Sequence, residues 1–210
     1  MLQYLKIFWF ITLANAVEIF MARFGLIQCV DFIDIDKNLP NGENMGGLTQ
    51  TMIFGLWDDV DTWPTEPVAP ADVEEYAAWT GDIVMKSGKR AFTFYSTDDT
   101  SELTCNMVGE PDGRSFEMVV NVFNPGLKAK LLGFIAAAKN DNLFVLVQDN
   151  ESQWYLLGDS KRAAIMQPGE GIGTGRATAD RKGANLSFIY KTNVPRTYSG
   201  DVTTILTASS

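Results

Sequence analysis

The chain has no histidine among its 210 residues, and only two cysteines, Cys29 and Cys105. Without an imidazole, Ser-His-Asp and Cys-His catalysis and His-ligated zinc are excluded. So is the side chain that most often moves protons near neutral pH. Two thiols make neither a four-cysteine zinc site nor a disulfide framework, and each reads as a buried, apolar-like residue unless export allows them to pair. Cations are scarce as well: 17 Lys plus Arg stand against 26 Asp plus Glu, for a net charge of −9. A groove that holds nucleic acid by counterion release needs clustered Lys and Arg, so tight DNA or RNA binding is not expected. Hydrophobic residues at 46% and charged residues at 20% predict a soluble, acidic globular chain that is not an enzyme.

The first twenty residues differ from the rest. A single early cation, Lys6, precedes an apolar run from Ile7 to Leu13, then Ala14-Asn15-Ala16 in a small-x-small arrangement. The run to Val17 is too short to cross a bilayer, which takes about 20 residues. Three readings fit: a secretory signal cut after Ala16, a start placed too far upstream of Met21-Ala22-Arg23, or a helix native to the fold. Residues 1–20 are therefore set apart, and 21–210 are read as one domain.

From Phe24 onward the dominant period is two. Phe116, Met118, Val120 and Val122 share one face of Ser115–Phe123; Leu103, Cys105 and Met107 alternate with Glu102, Thr104 and Asn106. Phe92 and Phe94, and Leu186, Phe188 and Tyr190, follow the same rule, which is that of a half-buried strand. Further strands are expected at Thr49–Trp57, Asn142–Gln148 and Gln153–Leu157, with turns at Pro111-Asp112-Gly113, Asp149-Asn150 and Arg181-Lys182-Gly183. One segment has helical spacing: Leu127, Leu131, Phe134, Ile135 and Ala138. Asn124 is placed as its cap, Pro125 at its first position, and Lys139-Asn140 at its end. The expected architecture is mainly β, a sandwich or barrel flanked by one helix.

Between Lys37 and Lys86 there are nine acids and no Lys or Arg, whereas residues 128–196 carry ten Lys or Arg against six acids. Such polarisation favours head-to-tail or side-to-side self-association. The span 38–80 is read as a long loop with a strand ending near Trp57 and a short helix opening at Asp72, Glu74 and Glu75. Two roles fit its aromatics: staples holding it to its own subunit, or an anchor on a neighbour, for which Trp57, Trp63, Pro64, Pro67 and Trp79 are the candidates.

Motifs that resemble chemistry fall short of it. Gly169-Glu170-Gly171-Ile172-Gly173-Thr174-Gly175 has neither dinucleotide-loop spacing nor a Walker Lys-Ser/Thr, and reads as a flexible hairpin or interstrand loop. Asp34-Ile35-Asp36-Lys37-Asn38 begins like a calcium loop, but Leu39 and Met45 stand where glycine and a bidentate Glu are required. The adjacent acids Asp58/Asp59 and Glu74/Glu75 point apart, and Pro64, Pro67 and Pro70 make a stiff acidic loop. No catalytic, metal or cofactor site is expected.

Gly88–Phe92 and Tyr95–Glu102 resemble a stretch of a family of phage and prophage proteins from Bacteroidetes hosts. The likeness continues through Val108–Phe116, Asn124–Ala129, Ala137–Asp141, Leu156–Gly158, Gly173–Gly175, Ala179–Gly183 and Tyr198–Val202, and so covers about residues 22–202. That family is of the tail-tube type of virion protein. The resemblance implies a β-sandwich or barrel with one flanking helix, hexameric rings that stack into a DNA conduit, and contacts with other tail proteins. It also implies a virion location with assembly in the host cytoplasm, no membrane, and DNA that passes without specific binding. The apolar N-terminus departs from the pattern and favours the Met21 start. Two rivals are an exported β-sandwich binding a small ligand or glycan, periplasmic or secreted, and an acids-only enzyme such as a glycosidase, which needs two facing carboxylates.

Overall fold

The structure is a computed structural model that describes residues 30–35 and 45–208, leaving aside the side chains of 168–170. In chain order the elements are β1 (Thr51–Leu56), a 3-10 turn (Trp57–Asp59), β2 (Val60–Thr62), α1 (Val73–Tyr76), β3 (Val84–Met85), β4 (Phe92–Tyr95), β5 (Glu102–Val108) and β6 (Ser115–Pro125). Then come α2 (Ala129–Ala138), β7 (Leu143–Gln148), β8 (Trp154–Leu157), β9 (Ile165–Gly173), β10 (Gly183–Thr192), β11 (Thr197–Tyr198) and α3 (Thr203–Leu206). The chain is mainly β, two antiparallel sheets packed face to face with α2 on their flank, as the alternation predicts.

One sheet has five strands in the order β11-β8-β7-β1-β4, and the other four, β5-β6-β10-β9; β2 and β3 form a separate ribbon. The first core lies between the two large sheets. Met118, Val120 and Val122 from β6 and Leu186, Phe188 and Tyr190 from β10 meet Met52, Phe94, Val145 and Val147, with Leu131 and Ala138 of α2 closing one side. A second core covers the opposite face of the five-stranded sheet, where Ile53, Phe144, Leu146 and Leu156 pack under Val60, Trp79, Ile83, Met85, Tyr198 and Ile205. β7 explains the arrangement. Its run Leu143-Phe144-Val145-Leu146-Val147 is apolar at every position and buried throughout, the pattern of a strand covered on both faces.

Three expectations need correction. Asn124 and Pro125 do not open the helix: they end β6, opposite Ala184 and Gly183 of β10, and Asn124 Nδ2 donates to Tyr95 O at 2.7 Å. With those groups spent on the sheet, the chain turns at Gly126 (φ 82°) and α2 starts at Ala129, after Lys128 and without a side-chain cap. Its end at Lys139 matches. Second, the glycine-rich stretch is strand as far as Gly173, because β10 pairs with it across a register shift between Asn185 and Ser187; the loop proper begins at Thr174. Third, Cys105, read as a buried, apolar-like residue, is free and exposed on the edge strand β5. The described part of 38–80 carries the expected strand ending at Leu56 and the expected short helix, with the 3-10 turn and β2 between them. The short helix does open at Asp72, whose carboxylate accepts from Glu74 N and Glu75 N at 3.0 Å each.

Candidate assembly surface

Of the five candidate anchors, Trp79 is part of the chain's own second core and Trp63 packs against it. Trp57 and Trp63 have ring centroids 5.9 Å apart, and Trp63 meets Phe144 edge-on at 5.9 Å. Trp57 Nε1 donates to Asp159 O at 2.6 Å, and Trp79 is 5% exposed. Pro64 is buried and Pro67 half-buried. Their apolar surface is thus largely used within the subunit. What this region presents outward is acid: Asp58, Asp61, Glu74 and Glu75 are exposed.

A buried polar cluster that sequence reasoning missed holds the region in place. Tyr190 Oη donates to Asp159 Oδ2 at 2.5 Å, while Asp159 Oδ1 accepts from Lys161 N at 2.6 Å and Arg162 N at 2.7 Å. Burial, then the Asp159 carboxylate, pushes the Tyr190 hydroxyl far above its ordinary range. Arg196 is 6% exposed; its Nε donates to Tyr76 O at 3.2 Å, its guanidinium lies 5.0 Å from the Trp79 ring centroid, and it pairs with Glu66 at 3.6 Å. Tyr190 reaches a partner 31 residues away and Arg196 one 120 residues away. No local pattern could reveal either pair. Each polar group is satisfied by protein, which is the arrangement of a structural joint.

The four-stranded sheet differs. Its outer face is not covered by any described element, and it forms a shallow trough of about 510 Å³ lined by Glu102, Glu117, Asn121, Gln167, Asn185 and Ser187 among others. Asn121 Nδ2 donates to Glu102 Oε1 at 2.9 Å, and Lys191 pairs with Glu117 at 3.5 Å. Both edge strands, β5 and β9, pair on one side only among the described residues. Each edge displays apolar residues of the inward row: Met107 is 57% exposed on β5, and Ile172 is 48% exposed on β9. Beside β9 runs an apolar groove lined by Ile135 and Lys139 of α2 with Met166, Ile172 and Leu186.

Two hairpins leave this sheet at opposite ends. Gly183 of β10 lies level with Gly173 and Pro125, whereas Thr192 lies level with Phe116, and Val108 with Ser115. The β9–β10 connection, 174–182, therefore emerges at one end and the β5–β6 connection, 109–114, at the other. Toward the second end, on the β9 side, Trp57 meets Asp159 and Glu66 pairs with Lys161 at 3.0 Å, and Arg162 and Lys191 lie with them.

The remaining motifs resolve simply. No group of His, Cys, Asp and Glu able to hold a metal occurs among the described residues, where Cys105 is free and exposed. Cys29, most of the Asp34–Met45 span and the first twenty residues lie outside the described residues. No described helix is long and apolar enough to cross a membrane. No protein-family model, curated protein or solved structure matches the chain.

Proposed function

We propose that the protein is a virion structural subunit of the tail-tube type, assembling edge to edge into closed rings that stack into a conduit for DNA. The observation that carries this reading is the four-stranded sheet, whose two edge strands have no outer partner among the described residues. Its strands alternate in direction, so four of them end on opposite directions, and β9 of one copy meets β5 of the next antiparallel. Each junction repeats the same pairing, a heterologous contact that closes a ring when the rotation per copy divides a full turn. The five-stranded sheet lacks this property, because repeating it would put β4 beside β11 in parallel, and β11 has only two residues. Pairing would also satisfy edge N–H and C=O groups that otherwise invite aggregation. Hexameric closure is the ring size that the family resemblance implies.

The outer face of the same sheet suits a wall past which DNA slides. It offers amides, hydroxyls and carboxylates around Val119 and Ile189; the cations Lys161, Arg162 and Lys191 stand at one end of it, where Lys161 pairs with Glu66 and Lys191 with Glu117. Within the trough itself no Lys or Arg lines the wall for phosphates to grip. Enzymatic activity is not part of this reading.

The test places a charge within the edge. Met107→Lys on β5 and Ile172→Lys on β9 each point an ammonium into the junction from a position that is half exposed in the single subunit. Negative-stain microscopy and sedimentation are expected to show rings or tubes for the wild type. Each variant is expected to stay a folded monomer with thermal stability within about 1 kcal/mol of wild type, as for surface substitutions. Rings of unchanged size in both variants would overturn the β5–β9 junction. A wild type that stays monomeric under every assembly condition would overturn the function.

A further inference from the structure

The two hairpins that leave the four-stranded sheet at opposite ends differ in the sign of their charge. The β9–β10 hairpin carries Arg176, Arg181 and Lys182 against one acid, Asp180, and all four are exposed. Asp180 is occupied internally: its Oδ2 accepts from Arg176 N and Ala177 N at 2.7 Å each, and these bonds hold its carboxyl below the ordinary value. Gly175 (φ 73°) sits so close that a Cβ there would fall 2.6 Å from Asp180 Cβ. The tip is thus a preformed turn whose three cations face solvent, and only Arg181 has a described side-chain partner, the Phe123 ring at 5.9 Å.

At the opposite end the β5–β6 hairpin is acidic and equally preformed. Glu110 O accepts from Gly113 N at 3.1 Å across Pro111 and Asp112, the latter at φ 67°. Glu110 and Asp112 are exposed, and among the described residues neither is in an ion pair. The one cation of this turn, Arg114, has its guanidinium 3.9 Å from Met107 Sδ.

From these placements we infer that the β9–β10 tip is a docking element for a second copy of this chain, and that it seats on the Glu110/Asp112 hairpin at that copy's far end. The occupant follows from charge complementarity and polarity together. Both tips project from one sheet at opposite ends, so copies meeting head to tail bring Arg176, Arg181 and Lys182 against Glu110 and Asp112, and the same contact repeats along a stack. Head-to-head meeting puts like charges together. Rigid tips lose little conformational entropy on docking. The inference deepens the tube reading and rests on it for the geometry of stacking, while the contact itself needs only two copies.

Two variants test it in the full chain. Arg176→Glu/Arg181→Glu/Lys182→Glu makes both hairpin tips acidic, and Glu110→Lys/Asp112→Asn makes both tips basic; all these sites are exposed, and no backbone hydrogen bond of the turns is removed. Each variant alone is expected to form rings that do not lengthen, and all five changes in one chain should restore stacking. Lengthening of the triple variant equal to wild type would overturn the inference, as would failure of the combined chain to recover. A zero-length carbodiimide crosslink separates this result from the ring reading. The two tips of one subunit are about 30 Å apart, ten β10 residues at about 3.3 Å each, so a Lys182–Glu110 or Lys182–Asp112 crosslink must join two copies. If no rings form, the tube reading fails, yet concentrated monomer should still yield that crosslink, and ~0.5 M salt should suppress it. Absence of the crosslink in both rings and concentrated monomer overturns the tip contact.

Discussion

β7 and β6 occupy inner positions of their sheets, and the rest of the chain treats them differently. β7 is apolar at five successive positions and carries protein on both faces: Val145 and Val147 enter the first core, Phe144 and Leu146 the second. β6 alternates, with Met118, Val120 and Val122 inward and Glu117 and Asn121 on the open trough. The chain adds a ribbon, two short helices and its C-terminal residues to cover the five-stranded sheet, and leaves the outer face and edges of the four-stranded sheet uncovered by any described element. A polar face costs little to leave in water, and the edges that no described strand pairs are the ones the proposed ring contact uses. The covered sheet supplies the rigidity against which those edges are held.

The strongest way to break this contrast is to strip the second core. Deleting Asp58–Pro70 removes β2, Trp63 and Pro64 from above Phe144, and is expected to abolish cooperative thermal unfolding and to bind a hydrophobic dye. A deleted chain that unfolds like wild type would mean the covering layer is dispensable. Phe144→Ala probes the same layer with one residue. It should cost about 3–5 kcal/mol, whereas Ser187→Ala on the open trough should stay within about 0.5 kcal/mol by denaturant titration. Equal effects would erase the distinction between the sheets.

The joint between the layers comes next. Tyr190→Phe leaves Asp159 Oδ2 without its donor and should cost about 1–3 kcal/mol at neutral pH. Tyr190 is held protonated in the fold well above its ordinary pKa of 10.0. Its contribution is therefore complete below about pH 10, where unfolded tyrosine is also protonated, and is lost as pH rises further and the unfolded chain releases the proton. The wild type should consequently lose stability above pH 10 more steeply than Tyr190→Phe, as read by urea unfolding across that range.

The smallest effect is confined to a tip. Asp180 is held below its ordinary 3.8 by the amides of Ala177 and Arg176, so its contribution is present at neutral pH and fades as pH falls below about 4. Faster amide exchange at Arg176 and Ala177 is expected in Asp180→Ala, with the global melting temperature unchanged. A shift of the whole melting curve would make the tip part of the fold.

Much of the architecture was legible in local spacing: the strands at 103–107, 115–123 and 186–190 stand where alternation places them, those at 142–148 and 153–157 follow the expected apolar runs, and the Asp72 cap and the Lys139 helix end are visible as local chemistry. The start of α2 was misread because Asn124-Pro125 has the chemistry of a helix start, and only Gly183 and Ala184, some 60 residues later in the chain, claim those two residues for a sheet. The candidate anchors show the same limit. Trp57, Trp63 and Trp79 look alike as an aromatic cluster whether they face a neighbour or their own core, and the positions of Phe144 and Asp159 turn them inward.

By itself, then, the sequence determined the β class, the single amphipathic helix, the absence of imidazole chemistry and the separation of acid from base along the chain, because each depends on residue type or on spacing within a few positions. Tertiary structure alone decided which sheet is covered twice, which edges stay open, that Asp159, Tyr190 and Arg196 meet, and that the acidic and basic tips lie at opposite ends of one sheet. Those outcomes depend on strand order and register, which are set by contacts between residues dozens of positions apart and leave no local trace.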